Sequence, residues 1–215
     1  MGTIDFKGFL GSLNFANCMD DVKKMEDEYH ESLKLARVER VIEMIGKRYE
    51  VEALEGYKGP NSAFIGEVVN SLPEFLNAGK SLFLTGARGA GKTLAAWHIA
   101  KRAAELARGV KYYTMQRLLL KIFDDREVAE KCKSCTLLIL DEVGKTVGNE
   151  KSGWELSRVL DILDTRHANK KSTILISNIP DTELTRFIGA DMLDRMKEDD
   201  WRRVVYSGQS FRGEK

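Results

Sequence analysis

Gly86-Ala87-Arg88-Gly89-Ala90-Gly91-Lys92-Thr93 follows directly on the apolar run Ser81-Leu82-Phe83-Leu84-Thr85, and its reading decides the fold. The stretch fits G-x-x-x-x-G-K-[ST], in which glycines let backbone N–H groups close around phosphate, a lysine meets the outer phosphates and a hydroxyl faces magnesium. Each residue from Gly86 to Thr93 is therefore a candidate nucleotide contact. Leu94 to Arg108 is rich in Ala, Leu, Lys and Arg without Pro, which predicts a helix. Its first free N–H groups and positive dipole end would face the phosphates, so Leu94 joins the binding stretch. Strand, glycine loop and helix in that order read as a nucleotide site.

Outward from that loop, 215 residues are enough for one sizeable core. The longest apolar runs, such as Thr136 to Leu140, fall far short of the roughly 20 residues that span a bilayer. The start, Met1-Gly2-Thr3-Ile4-Asp5, lacks the basic and apolar regions of a secretion signal, so the expectation is a cytoplasmic protein with no membrane partner. Cys132-Lys133-Ser134-Cys135 has no second pair to complete a four-ligand zinc site, and the cysteines read as ordinary reduced thiols. Charge is unevenly spread: residues 1–79 hold 9 Lys/Arg against 14 Asp/Glu (net −5), leaving 25 against 19 (net +6) for the rest. An acidic arm precedes a mildly basic body, which permits a nucleic-acid face without requiring one.

Met1 to Asn17 mixes Gly, Asn and Phe without period and reads as a flexible or partner-ordered lead. From Met19 to Arg48, apolar Leu35, Val38, Val41, Ile42 and Ile45 fall among many charges at the spacing of an amphipathic helix. That helix could pack on the body or dock to another protein. Gly56 to Asn61 reads as the linker, and the expected division is an arm at 1–47 and a nucleotide domain at 48–215. Ile65 to Ala78 reads as a helix interrupted near Pro73. Val110 to Thr114 reads as a strand, Met115 to Lys133 as one or two helices, Thr136 to Glu142 as a buried strand, Trp154 to His167 as a helix and Ser172 to Asn178 as another buried strand. Strands apolar on both faces and alternating with helices imply an α/β fold, a parallel sheet flanked by helices. Ligands gather at the carboxyl ends of such strands, where Thr85, Asp141 and Asn178 sit.

Phosphoryl transfer to water needs a cradle, a metal and an oriented nucleophile. Lys92 is the candidate clamp, Thr93 and Asp141 the candidate magnesium residues, and Glu142 the candidate for orienting or deprotonating water. Asn178, an uncharged amide at a strand end, could hold that water or the terminal phosphate. Alone, each has an ordinary reading as a turn or capping residue; behind a phosphate loop the functional one prevails.

The loop, Leu137 to Gly144 (LLILDEVG), the helix end Leu160-Asp161-Ile162-Leu163-Asp164-Thr165-Arg166, Ile174 to Asn178 (ILISN), Gly189 to Met196 (GADMLDRM) and Gly208-Gln209-Ser210-Phe211-Arg212 occur in that order. Together, over Arg48 to Arg212, they resemble the AAA+ replicative helicase loaders of the DnaC and DnaI type and their IstB-type transposition relatives. The resemblance implies a P-loop NTPase core without the C-terminal lid, preceded by a short helical arm, using ATP and Mg2+. It implies self-association with an active site shared between subunits, in which Arg195 would be the arginine supplied in trans. Arg212 falls on a terminal arginine that senses phosphate in the family. Asp191 departs from the pattern, which often has a basic residue there.

The function implied is an ATP-dependent helicase loader that hydrolyses ATP, grips a hexameric replicative helicase through its N-terminal arm and delivers it to single-stranded DNA. Lys111, Arg117 and Lys121 are candidate DNA contacts, although a solvated helix face explains them equally well. The alternatives are an IstB-like transposition ATPase that assembles on DNA and recruits a transposase, or a nucleotide-dependent interaction switch with little hydrolysis. Tyr57 lies in the region where a base would be read.

Overall fold

The computed structural model describes residues 15–47, 49, 57–145, 153–198 and 200–207. Among these, five strands form one wholly parallel sheet: β1 (Ser81–Gly86), β2 (Val110–Thr114), β3 (Leu137–Val143), β4 (Ser172–Ser177) and β5 (Trp201–Tyr206), in spatial order β2-β3-β4-β1-β5. The near-continuous apolar runs become the inner strands because both faces are covered. Leu82, Leu84, Ile139, Ile174 and Ile176 face one side. Phe83, Leu138, Leu140 and Leu175 face the other, as the two-residue period of a strand requires.

The first face is covered by α1 (Phe15–Ile45), α2 (Ser62–Asn70), α3 (Leu72–Asn77) and α4 (Lys92–Glu105). Inner positions of α4 are mostly alanine (Ala95, Ala96, Ala100, Ala103, Ala104), which lets the helix carrying the phosphate loop lie close against the sheet. The second face is covered by α5 (Met115–Asp124), α6 (Arg126–Ser134), α7 (Gly153–Ala168) and α8 (Asp181–Arg195). Met115 to Lys133 thus forms two helices, separated at Asp125, whose side chain caps α6 by accepting from Glu127 N at 2.8 Å. Each cap of this kind contributes about 1 kcal/mol.

Several boundaries differ from those expected. α1 is already helical at Phe15, the first described residue, and stops before Gly46, a glycine at positive φ whose N–H bonds to Ile42 O. Its last turns, with Val41, Ile42 and Ile45, are buried in the same core as α4, while Val22, Met25, Tyr29 and Leu35 are exposed. α4 ends near Glu105, three residues early, because Ala107 takes the left-handed conformation and Arg108 N–H reaches back to Ala103 O. β5 was not foreseen at all. Its pattern Trp201-Arg202-Arg203-Val204-Val205-Tyr206 is that of an edge strand: Trp201, Val204 and Tyr206 are buried, and two arginines interrupt the apolar run. Those arginines lie over aromatic rings on opposite faces, Arg202 over Phe64 and Arg203 over Phe83.

At the pole of the sheet away from the phosphate loop, Arg166 is wholly buried. Its guanidinium donates to Thr173 Oγ1 (3.0 Å), to the carbonyls of Cys132 (2.7 Å), Cys135 (2.8 Å) and Ser172 (2.5 Å), and more weakly to Thr136 O. Burial pulls its pKa down, and the hydrogen bonds named are to neutral acceptors. One planar fork thereby joins the end of α6 to the starts of β3 and β4. Burial likewise pushes the Cys132 thiol up to about 12, which keeps it a thiol.

Arg166→Ala orphans these carbonyls and opens a cavity, so urea unfolding is expected to show a loss of about 3 kcal/mol or more. Arg166→Lys should recover only part of it, since an ammonium has three donors and no fork.

Candidate nucleotide site

β1 runs into the loop through Gly86, and α4 begins at Lys92. Gly86, Gly89 and Gly91 all have positive φ. At Gly86 (φ 128) a Cβ would lie 2.2 Å from Tyr206 O of the paired strand β5, so no side chain fits. Gly91 (φ 91) is the helix N-cap, a conformation that any L side chain would strain. The turn leaves the first N–H groups of α4 facing the space above the strand ends, a ready site for an anion. Lys92 is 5% exposed, and its ammonium donates to Gly86 O (2.8 Å) and Ala87 O (2.6 Å). The expected phosphate clamp is therefore folded over its own loop, with its charge held by two carbonyls.

Thr93 lies on the first turn of α4 and Asp141 near the end of β3, two strands away from β1. They meet: Thr93 Oγ1 donates to Asp141 Oδ2 at 2.8 Å. Asp141 is 5% exposed, and burial pushes its pKa up, against hydrogen bonds from Thr93, the Glu142 N–H and Tyr112 that favour the charged form. Glu142 N donates to Asp141 Oδ1 at 2.6 Å, and the Tyr112 hydroxyl donates to Oδ2 at 3.0 Å. A hydroxyl and a carboxylate side by side are the hard oxygen groups that magnesium takes, so Thr93 and Asp141 fit that ion.

Glu142 departs from strand geometry. The β3–β4 register slips between Leu140 and Val143, a β-bulge, and Glu142 itself sits at φ 56. A non-glycine residue there costs on the order of 1–2 kcal/mol. The bulge turns Val143 onto the face of Leu138 and Leu140 and leaves Glu142 half exposed at the rim, where Lys145 pairs with it at 2.8 Å. Ser177 Oγ donates to Val143 O (2.9 Å), tying the ends of β3 and β4 together. A cleft of about 310 Å³ opens beside this tie, lined among others by Arg88, Glu142, Lys145, Asn178 and Ile179. The loop, the second acid and the amide of the next strand thus share one space.

Arg195 does not line that cleft. It pairs with Asp164 of α7 at the end of α8, a helix kinked at Gly189. Asp191 is exposed, and Arg212 and the stretch 208–215 lie outside the described residues. Tyr57 stands beside the loop: its hydroxyl donates to Pro60 O, and its ring is 5.7 Å from that of His98. Tyr112 and Lys145 were not foreseen. Alternation along β2 puts Tyr112 and Thr114 on one face, but only the pairing of Thr114 with Asp141 shows what that face meets.

A glycine loop between β1 and α4, with an acidic strand end separated from β1 by β4, defines a P-loop nucleotide-binding domain. Residues 67–214 match the family described as IstB-like ATP binding protein, and the chain belongs to that family. The replicative helicase loader DnaC of Escherichia coli (strain K12) is 23% identical over 140 residues, covering 61% of this chain and 56% of the loader. The chain thus spans little more than half the length of the curated relatives it matches. A crystal structure of the DnaC helicase loader superposes with a TM-score of 0.62 at 20% identity, over 75% of this chain and 100% of the other. Replication initiator DnaA bound to AMPPCP and single-stranded DNA superposes at 0.57, again 20% identical, over 72% and 49%. At such identities the likeness is one of fold. Among the described residues no helix is long and apolar enough to cross a membrane.

The raised pKa of Asp141 carries a sign. The folded chain holds this proton more tightly than the unfolded chain, whose aspartate titrates near 4, so stability falls as pH rises through the folded value. Without metal or nucleotide, Asp141→Asn should melt at a higher temperature than wild type at pH 7. The amide can donate to the hydroxyls of Thr93 and Tyr112 and still accept from Glu142 N. The difference should shrink towards pH 4, as followed by circular dichroism melts across that range.

Proposed function

We propose that the chain is an ATP-hydrolysing AAA+ protein that loads a hexameric replicative helicase onto single-stranded DNA. The observation that carries the ATPase reading is the Thr93–Asp141 hydrogen bond at 2.8 Å, which puts the hydroxyl of the phosphate loop against the acidic strand end. In this reading Gly86 to Leu94, with Arg88 among them, bind the nucleotide, and Arg212 senses its phosphate. Lys92 exchanges its loop carbonyls for the outer phosphates, and Thr93 and Asp141 hold the magnesium ion. That ion supplies charge neutralisation on the phosphates when bound. Glu142 orients and deprotonates water once it leaves Lys145, and Asn178, across the same cleft, positions that water or the terminal phosphate. Arg195 acts on the site of an adjoining subunit after parting from Asp164.

Turnover is expected to fall at least about 100-fold in Lys92→Ala and in Glu142→Gln, with Glu142→Gln retaining nucleotide. Mixing Glu142→Gln with Arg195→Ala protein should restore part of the activity, because one interface then combines an intact acid with an intact arginine. A wild type as inert as both variants in a phosphate-release assay would favour the interaction switch.

The helicase-loading reading is supported by the likeness to DnaC and by α1, where Val22, Met25 and Tyr29 are exposed at the i, i+3, i+7 spacing of one helix face. Residues 1–47 are the partner-binding arm in this reading, and residues 48–215 the ATPase domain. The family match favours a second reading, a transposition ATPase that assembles on DNA and recruits a transposase. The two separate in a capture experiment with a hexameric helicase. Because Val41, Ile42 and Ile45 belong to the core, the arm is better tested by substitution than by truncation. Val22→Asp/Met25→Asp/Tyr29→Asp protein should lose helicase capture about tenfold or more while keeping its melting temperature. Failure of the wild type to capture helicase, with retention on double-stranded DNA, would support the transposition reading.

A further inference from the structure

We infer that Tyr112 is a positioning residue for the metal side of the nucleotide site, orienting the Asp141 carboxylate through its hydroxyl. The inference rests on the reading of Asp141 as a magnesium residue and adds a group outside both the loop and the acidic strand. Asp141 Oδ2 accepts from two side chains, Thr93 at 2.8 Å and Tyr112 at 3.0 Å, while Oδ1 accepts from Glu142 N at 2.6 Å. A buried carboxylate needs such donors, since each one offsets part of the lost hydration. Two of the three come from the site's own sequence motifs. The third comes from β2, on the far side of β3 from the phosphate loop.

The geometry explains why the residue is a tyrosine. Thr114 is the register partner of Asp141 and Tyr112 that of Ile139, so the Tyr112 side chain starts one pleat below the carboxylate on the same face. A phenol is long enough to cover that step and arrive with a donor. Its ring packs at the margin of the core shared by α1 and α4, alongside Tyr49 and Val110, which leaves the hydroxyl little freedom to turn elsewhere. Burial and the neighbouring Asp141 charge push the phenol's own pKa up, so it is a donor at any physiological pH. With Oδ1 held by backbone and Oδ2 by two hydroxyls, rotation of the carboxylate about its last bond is blocked. Groups that fix a metal-binding carboxylate in this way commonly alter metal affinity about 10–100-fold when removed.

Tyr112→Phe removes the hydroxyl and keeps the ring. The test measures Mn2+ binding to the full chain with β,γ-methylene-ATP by the loss of free Mn2+ resonance, nucleotide binding in EDTA by displacement of a fluorescent ATP analogue, and thermal melting. Mn2+ affinity should fall about tenfold in Tyr112→Phe, with metal-free nucleotide affinity within about twofold of wild type. The Mg2+ concentration giving half-maximal turnover should rise by the same factor, and turnover at saturating Mg2+ should return close to the wild-type value. Unchanged Mn2+ affinity overturns the inference. A loss shared equally by metal-free nucleotide binding and melting temperature overturns it too, since Tyr112 is then a packing residue. Asp141→Asn runs in parallel: if it leaves Mn2+ binding intact, the metal reading of Asp141 has failed. If it abolishes binding while Tyr112→Phe does not reduce it, only the role of Tyr112 has failed.

Discussion

The hydrogen bond between Thr93 and Asp141 spans the central constraint of this molecule, that a buried carboxylate must be given donors where water cannot reach it. β4 lies between the strand that feeds the phosphate loop and the strand that ends in the acids. For the two motifs to meet, α4 must lie close to the sheet, and its alanine-rich inner face permits that approach. β1 must also keep its register with β4 and β5. The missing side chain at Gly86, against the Tyr206 carbonyl, is where the loop accommodates that register. Packing and site chemistry are the same set of contacts here.

Strain and charge collect at the edge of the site. Glu142 occupies a left-handed conformation on a bulged strand end, at an intrinsic cost on the order of 1–2 kcal/mol that the hydrogen bond from its N–H to Asp141 helps to offset. The bulge separates the two adjacent acids into different environments, one buried against hydroxyls and the other at the rim of the cleft beside Lys145. Exposed pairs such as Glu142–Lys145 are worth at most about 1 kcal/mol, so this one is easily exchanged. Lys92 resembles it in kind, a charged group resting on acceptors of its own loop.

The two poles of the sheet are built differently. Above, polar groups converge on a space open to a ligand. Below, the wholly buried Arg166 has its guanidinium saturated by the carbonyls of Cys132, Cys135, Thr136 and Ser172 and by the Thr173 hydroxyl. That pole anchors the starts of β3 and β4, the strands whose far ends carry Asp141, Glu142 and Asn178. The last turns of α1 belong to the core as well, while its exposed apolar face lies nearer its start, so one helix serves both packing and display.

Residue order alone determined the phosphate loop, the central strands and the candidate acids, because each is a local signal: glycines and a lysine at fixed spacing, runs apolar on both faces, carboxylates where such a run stops. β5 escaped notice because an edge strand with Arg202 and Arg203 needs only half of its positions buried, and its arginines find aromatic rings only in the folded chain. Tyr112 escaped because its partner is 29 residues away and is reached through strand pairing. The opposed settings of Asp141 and Glu142 depend on a register slip relative to β4, and no property of two neighbouring acids announces it. Spacing along the chain thus named the chemical groups. Which groups touch, which are buried and which face the cleft was decided only by the order and register of the strands, since hydrogen bonds and desolvation act through distances in space that sequence separation does not encode.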